Sequence, residues 1–158
     1  MENAWKGPGI KDGVDLERGL LGKSTVGQGE HLEYMSFKDA VTFAREHQPD
    51  IFKRSQAIKN LRNRVALYCD DKDEPVKFFT AVGTPLDIYH GVDAFFEQDG
   101  RIATVDVSMR EKETYKADVL LVASLDTEGE IVISESEMKS VAGKVAQILD
   151  AGRHKKAA

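Results

Sequence analysis

The chain has 158 residues, 41% hydrophobic and 31% charged, with a formal net charge of −5 at pH 7. That length can bury one core, and that balance belongs to a folded domain rather than to a disordered chain. The single cysteine, Cys69, excludes an internal disulfide or a cysteine-built zinc site, and the acidic excess argues against binding nucleic acid by bulk charge.

One thiol suits a reducing compartment, so a cytoplasmic location is expected. No run approaches the roughly 20 apolar residues of a membrane span, and residues 1–13 carry glycines and charges rather than the apolar stretch of a signal peptide. Neither a membrane partner nor a leader is therefore expected.

Residues 1–30 hold over half of the 13 glycines and show little periodicity, so they read as an irregular arm pinned by Trp5, Leu20 and Leu21. A single domain is expected over residues 31–151 and a basic tail over 152–158. Ser36 is a helix cap with Asp39 three residues on, and Phe37, Ala40, Val41 and Ala44 follow at helical spacing. Pro49 ends that run. Asp50 caps a second helix whose apolar stripe is Ile51, Ile58, Leu61, Val65 and Tyr68. From residue 76 the texture turns to strand. Runs at 76–82, 92–97 and 101–109 are rich in Val, Phe and Thr, and Asp99-Gly100 between the last two is a strong hairpin signal. Residues 118–124 are apolar enough for a central strand. A turn at 126–129 leads to Ile131–Ile133. Ser134 and Glu137 form a capping box, and Met138, Val141, Val145 and Ile148 face the core from a last helix. The fold class is α+β: a mainly antiparallel sheet of four or five strands, two helices before it and one after it.

Strand alternation puts Asp93 on one face of its strand and Asp106 on one face of the next. With a hairpin turning at Asp99-Gly100 the two carboxylates lie about opposite each other, a spacing that suits one hard cation such as Mg²⁺ or Mn²⁺. The segments Gly91-Val92-Asp93-Ala94-Phe95-Phe96 and Ala103-Thr104-Val105-Asp106-Val107-Ser108 resemble the core of the PD-(D/E)XK nuclease superfamily over residues 36–124. The resemblance implies a restriction-endonuclease-like core, phosphodiester hydrolysis, and metal held by Asp93 and Asp106. It implies a further acid from a helix preceding the sheet, Glu46 with Glu33 behind it. The lysine position of the family motif holds Ser108; a lysine from a nearby element, Lys116 or Lys112, would stand in. The family's helix between its third and fourth core strands would have to fit within residues 110–117, too short for more than about two turns. As plain strand acids, Asp93 and Asp106 would simply face solvent beside a turn.

On the second helix Lys53, Lys59, Arg62 and Arg64 form a basic side that could follow a phosphate backbone, or be an ordinary solvated face. Gly22-Lys23-Ser24-Thr25 matches the end of a P-loop, but Glu17 stands where the first glycine belongs and no strand precedes it. His90, between Asp87 and Asp93, reads as a proton shuttle, a metal ligand or a loop hydrogen-bond partner. The sequence therefore points to a nuclease-like domain that cleaves nucleic acid with a divalent metal or, lacking its lysine, binds without cutting. The competing class is a noncatalytic interaction or assembly factor of phage or mobile-element type, a homodimer through a sheet edge or the Trp5 arm.

Overall fold

The computed structural model describes residues 13–27, 29–70 and 73–157; Trp5 lies outside them. The elements are α1 (Gly13–Leu21), α2 (Phe37–Arg45), a 3-10 turn (Ile51–Lys53), α3 (Gln56–Tyr68), β1 (Lys77–Thr80), α4 (Pro85–His90), β2 (Ala94–Gln98), β3 (Arg101–Ser108), β4 (Val119–Val122), β5 (Ser124–Leu125), β6 (Ile131–Val132) and α5 (Glu135–Ala157). No helix among the described residues is long and apolar enough to cross a membrane.

The class is α+β, as the sequence indicates, but the sheet is mixed. Its order is β1-β2-β3-β4; β1, β2 and β3 are antiparallel, while β4 runs parallel to β3. A two-residue turn forces antiparallel pairing at Asp99-Gly100, where both residues have positive φ (51° and 77°) and Gln98 faces Arg101. No such constraint acts on residues 109–118, which carry the chain back so that β4 starts from the same end as β3. The apolar run expected as a central strand is thus the edge strand β4. Its buried Val119 and Leu121 pack in the same core as α5. The last two short strands, β5 and β6, pair only with each other.

The sheet carries a core on each face. Val105, Val107, Phe96 and Phe78 meet α1, α3 and α5 on one side; Phe95 and Val92 meet α2 and α4 on the other. Cross-strand ring pairs stitch β1 to β2, Phe78 on Phe96 at 5.2 Å and Phe79 on Phe95 at 5.1 Å, each worth about 0.5–1.5 kcal/mol beyond simple burial.

The glycine-rich start contains a helix. Leu16, Leu20 and Leu21 of α1 are at most 1% exposed and join the main core, so the irregular arm expected over residues 1–30 gives way to a packed element over Gly13–Leu21. The second predicted helix is also split. Asp50 caps only the 3-10 turn, and Ser55 starts α3 by accepting the Ile58 amide while its hydroxyl donates to the Leu20 carbonyl. Ile51, predicted on the apolar stripe, is 55% exposed. The capping box before α5 is half formed: Ser134 accepts the Glu137 amide at 3.1 Å, but the Glu137 carboxylate accepts from the Val122 amide at 2.9 Å and ties the helix to β4 instead.

Candidate metal centre

The hairpin register sets Asp93 and Asp106 face to face. Ala94 pairs with Val105, so the next position beyond β2 is Asp93 against Asp106. At this point the backbone leaves the sheet: Asp93 donates its amide to the Val105 carbonyl at 2.9 Å, and then its side chain, not a carbonyl, accepts the Val107 amide at 2.8 Å. The carboxylate is held by the ladder itself and is 3% exposed.

Two further acids converge on it. Asp87 comes from α4, a helix that starts at Gly83-Thr84-Pro85. Thr84 is the cap, Pro85 sits in the first turn, and the Asp87 carboxylate accepts the Gly83 amide at 3.0 Å. Gly91 ends α4 with φ 69°, the left-handed conformation that lets the chain reverse into Asp93. Glu17 comes from α1, beside the buried Leu16. One carboxylate oxygen from each of Glu17, Asp87 and Asp93 lies within 4.8 Å of the others, so this group could hold a metal ion. Asp106 adjoins the site through Asp93, its neighbour across the strand pair. Its carboxylate hydrogen-bonds that of Asp93 and receives the Lys112 ammonium at 2.7 Å.

The electrostatics follow from crowding like charges out of water. Burial pushes the Asp93 carboxyl up to about 10, and the hydrogen bond with Asp106 and the charges of Glu17 and Asp87 add to it. Burial and the neighbouring charges of Asp87 and Asp106 raise Glu17 to about 7. Asp87 is raised by burial, partly opposed by the Gly83 amide. Lys112 is raised by its hydrogen bond to Asp106. Among the described residues Lys112 is paired into the group through Asp106, and the buried Asp93 keeps its proton well above the usual carboxylate range. A divalent cation would take that proton's place, and the donor set is what such an ion needs: several hard oxygens, partly buried.

Of the residues nominated from sequence, Asp93 and Asp106 are brought together. Glu46 is the exposed C-cap of α2 and does not join them. Lys116 lays its stem over Gly91, with Cδ 3.2 Å from where a Cβ would stand, and lines a neighbouring cavity; Lys112 is the lysine paired with the acids. The motif position Ser108 is closed on itself: its hydroxyl donates to the Arg110 carbonyl at 2.6 Å and accepts the Arg110 amide at 3.1 Å. Glu17 and Asp87 escaped the sequence reading. The Leu16/Leu20 spacing and Pro85 after Thr84 were the available signals.

The basic side of the second predicted helix is dispersed. Arg62 donates to the Val76 carbonyl at 2.9 Å, while Arg64 makes a two-pronged pair with Glu135 of α5 at 2.9 and 3.2 Å. Lys59 lines a groove with Arg62, Arg54 and Lys77 beside β1, and Lys53 lies in the 3-10 turn. His90 Nε2 donates to the Met35 carbonyl, 2.8 Å away, as a loop partner. Lys23 bonds the Val26 carbonyl just after α1, so the Gly22-Lys23-Ser24-Thr25 segment leaves a helix rather than opening one. Compared with known proteins, the chain matches no family model, no curated protein and no solved structure.

Proposed function

We propose that this chain is a divalent-metal-dependent phosphodiesterase of the PD-(D/E)XK nuclease type, acting on nucleic acid with Mg²⁺ or Mn²⁺. One observation carries the reading: the convergence of Glu17, Asp87 and Asp93 within 4.8 Å, with the Asp106–Lys112 pair against Asp93. The reading sets these acids beside the pattern that the sequence resemblance implies. One acid opens the second strand, one sits on the third, and a further acid comes from a helix preceding the sheet, here Glu17 rather than Glu46. Asp87 is an addition to that pattern.

A bound divalent cation would supply Lewis-acid polarisation of the phosphate and a lowered pKa for a water. The chain's own residues would do the rest. Asp93 and Asp106 share the seat of the charge, with Asp93 fixed by the Val107 amide so that its oxygens need not reorganise. Lys112, partly exposed and paired to Asp106, stands where it can orient an attacking water and balance the charge that develops on the phosphate. Ser108 leaves the motif's own lysine position without a cation, and that observation favours the second reading, a nucleic-acid-binding domain that does not cut.

Thermal melts with Mg²⁺ and Mn²⁺ on the wild type, Asp93→Asn, Asp106→Asn and Glu17→Gln test the centre. A ligand that binds only the folded state adds about 2.7 kcal/mol at 100 times its Kd. A metal-dependent rise lost in Asp93→Asn, followed by metal-dependent cleavage of DNA or RNA, is the expected outcome. No rise at millimolar metal in the wild type, with or without oligonucleotide, would sink the proposal. A rise without cleavage would leave the noncutting reading.

A further inference from the structure

Next to the acids, on the α2–α4 side of the sheet, lies a cavity of about 490 Å³, within the range of small-molecule sites, roughly 300–1,000 Å³. Its apolar wall is aromatic. Phe37 and Tyr89 line it and are 44% and 37% exposed. The rings around it are locked edge-on: Phe37 against His90 at 5.8 Å and 85°, Tyr34 against Tyr89 at 5.5 Å and 80°. The Tyr89 hydroxyl donates to the Leu32 carbonyl at 2.7 Å and His90 is bonded to the Met35 carbonyl. These rings are therefore held in place while their faces stay partly open to solvent, which is costly for a surface with nothing to bind.

The lining also carries polar groups of mixed sign. Lys116, with its stem over Gly91, has no ion pair among the described residues. Asp118 accepts the Thr104 amide through Oδ2 at 3.0 Å, which leaves its second oxygen for a ligand. Rings for stacking, a cation, and an acceptor for a ring N–H or amino group are together the complement of a nucleobase with its phosphate.

The position relative to the acids decides whether that base is paired or unpaired. Thr104, in the cavity wall, and Asp106, in the metal centre, are on the same face of β3 two residues apart, about 6–7 Å along the strand. Val92 lines the cavity and Asp93 follows it; α4 carries Asp87 to the acids and Tyr89 to the cavity. A nucleotide whose phosphate sat at the acids could put an adjoining base into this cavity without leaving its chain. A paired base could not enter, because its face and edge are already used inside the duplex.

We propose, building on the nuclease reading above, that this cavity is a base-binding subsite for an unpaired nucleotide flanking the reacting phosphate, and that the substrate class is single-stranded or locally unpaired nucleic acid. The test is binding of a fluorescein-labelled single-stranded thymidine 12-mer and of a 12-base-pair duplex, by anisotropy, with Ca²⁺ as the oxygen-seeking cation. Phe37→Ala and Lys116→Met are compared with the wild type. The Mg²⁺-dependent melting shift of each protein serves as the folding and metal-site control. Expected are tighter binding of the single strand than of the duplex, and a loss of about tenfold or more in Phe37→Ala, the scale of one stacked base. A smaller loss is expected in Lys116→Met, with the Mg²⁺ shift intact in both. Variants that bind the single strand as the wild type does, or a duplex bound more tightly and untouched by Phe37→Ala, would overturn the subsite while an intact Mg²⁺ shift left the metal centre standing. No Mg²⁺ shift in the wild type would remove the nuclease reading and this subsite with it.

Discussion

Asp93 is where the sequence, the fold and the chemistry meet. An aspartate with 3% exposure accepting a strand amide would ordinarily gain from being charged, since the amide stabilises the anion. Here burial and three neighbouring acids outweigh that one bond, and its carboxyl stands at about 10. Its native pKa lies above the unfolded value of about 3.9, so the folded state holds a proton that the unfolded chain has lost, and this group's contribution to stability falls as pH rises between those values. Glu17, raised to about 7, acts in the same direction over the lower part of that window. In metal-free buffer, Tm should therefore fall from pH 5 to pH 8, and Asp93→Asn, which keeps an acceptor for the Val107 amide and removes the charge, should flatten that slope. A metal ion demands deprotonated ligands, so saturating Mg²⁺ should stabilise more at pH 8 than at pH 5. Differential scanning calorimetry across that range decides the matter; a wild type and an Asp93→Asn variant with equal slopes would mean that Asp93 is not the crowded acid. Lys112 carries a separate expectation. Its Nζ lies 2.7 Å from Asp106, whereas Lys116 lies over Gly91. Lys112→Met should cost kcat about 10²-fold or more, and Lys116→Met should leave kcat near wild type. The reverse order would return the motif lysine's role to Lys116.

Among the elements, α1 makes the centre and was the one least legible in the sequence. Seven glycines in residues 1–30 argue for loop, and tertiary packing overrides them: Leu16, Leu20 and Leu21 find a core formed by strands far along the chain, which local propensity does not contain. Leu20→Ala should cost about 2–5 kcal/mol in urea unfolding. Because Glu17 rides on the same helix, the destabilised variant should also show weaker Mg²⁺ stabilisation than an equally destabilising core change distant from the acids, such as Leu149→Ala in α5. Equal metal responses in the two would separate α1 from the centre. The hairpin, in contrast, was readable to within one pair of its register and a residue or two of its ends. Asp99-Gly100 fixes register, register fixes Asp93 against Asp106, and all of that information is local. The parallel pairing of β4 was not readable, because it depends on where residues 109–118 cross rather than on any residue in the strand. The split at Ser55 was concealed by an apolar residue, Ile51, that fits the helical stripe yet stays in solvent.

At the scale of the whole molecule, four arginines are spent on structure. Arg54 and Arg62 donate to the Phe78 and Val76 carbonyls, and the Gln48 amide pairs with both Thr80 backbone groups, so side chains cover much of the edge that β1 would otherwise offer to another strand. Arg45 and Arg64 are held by Glu97 and Glu135. A chain of net charge −5 with these arginines so engaged has little to attract phosphate at long range. Affinity for nucleic acid must then come from the metal and from the few free cations near it. Two consequences can be measured together. Binding of a thymidine 12-mer should strengthen at least tenfold when Ca²⁺ is added to metal-free protein, because the cation converts a repulsive cluster of four carboxylates into a site for phosphate. The salt dependence should be shallow, with log K against log[NaCl] having a slope of about −1 to −2, since about 0.7 counterions are released per phosphate neutralised on a single strand. A slope of about −4 or steeper, indifferent to metal, would mean that a basic surface holds the strand, and would return weight to Lys53, Lys59, Arg62 and Arg64 as the backbone contacts.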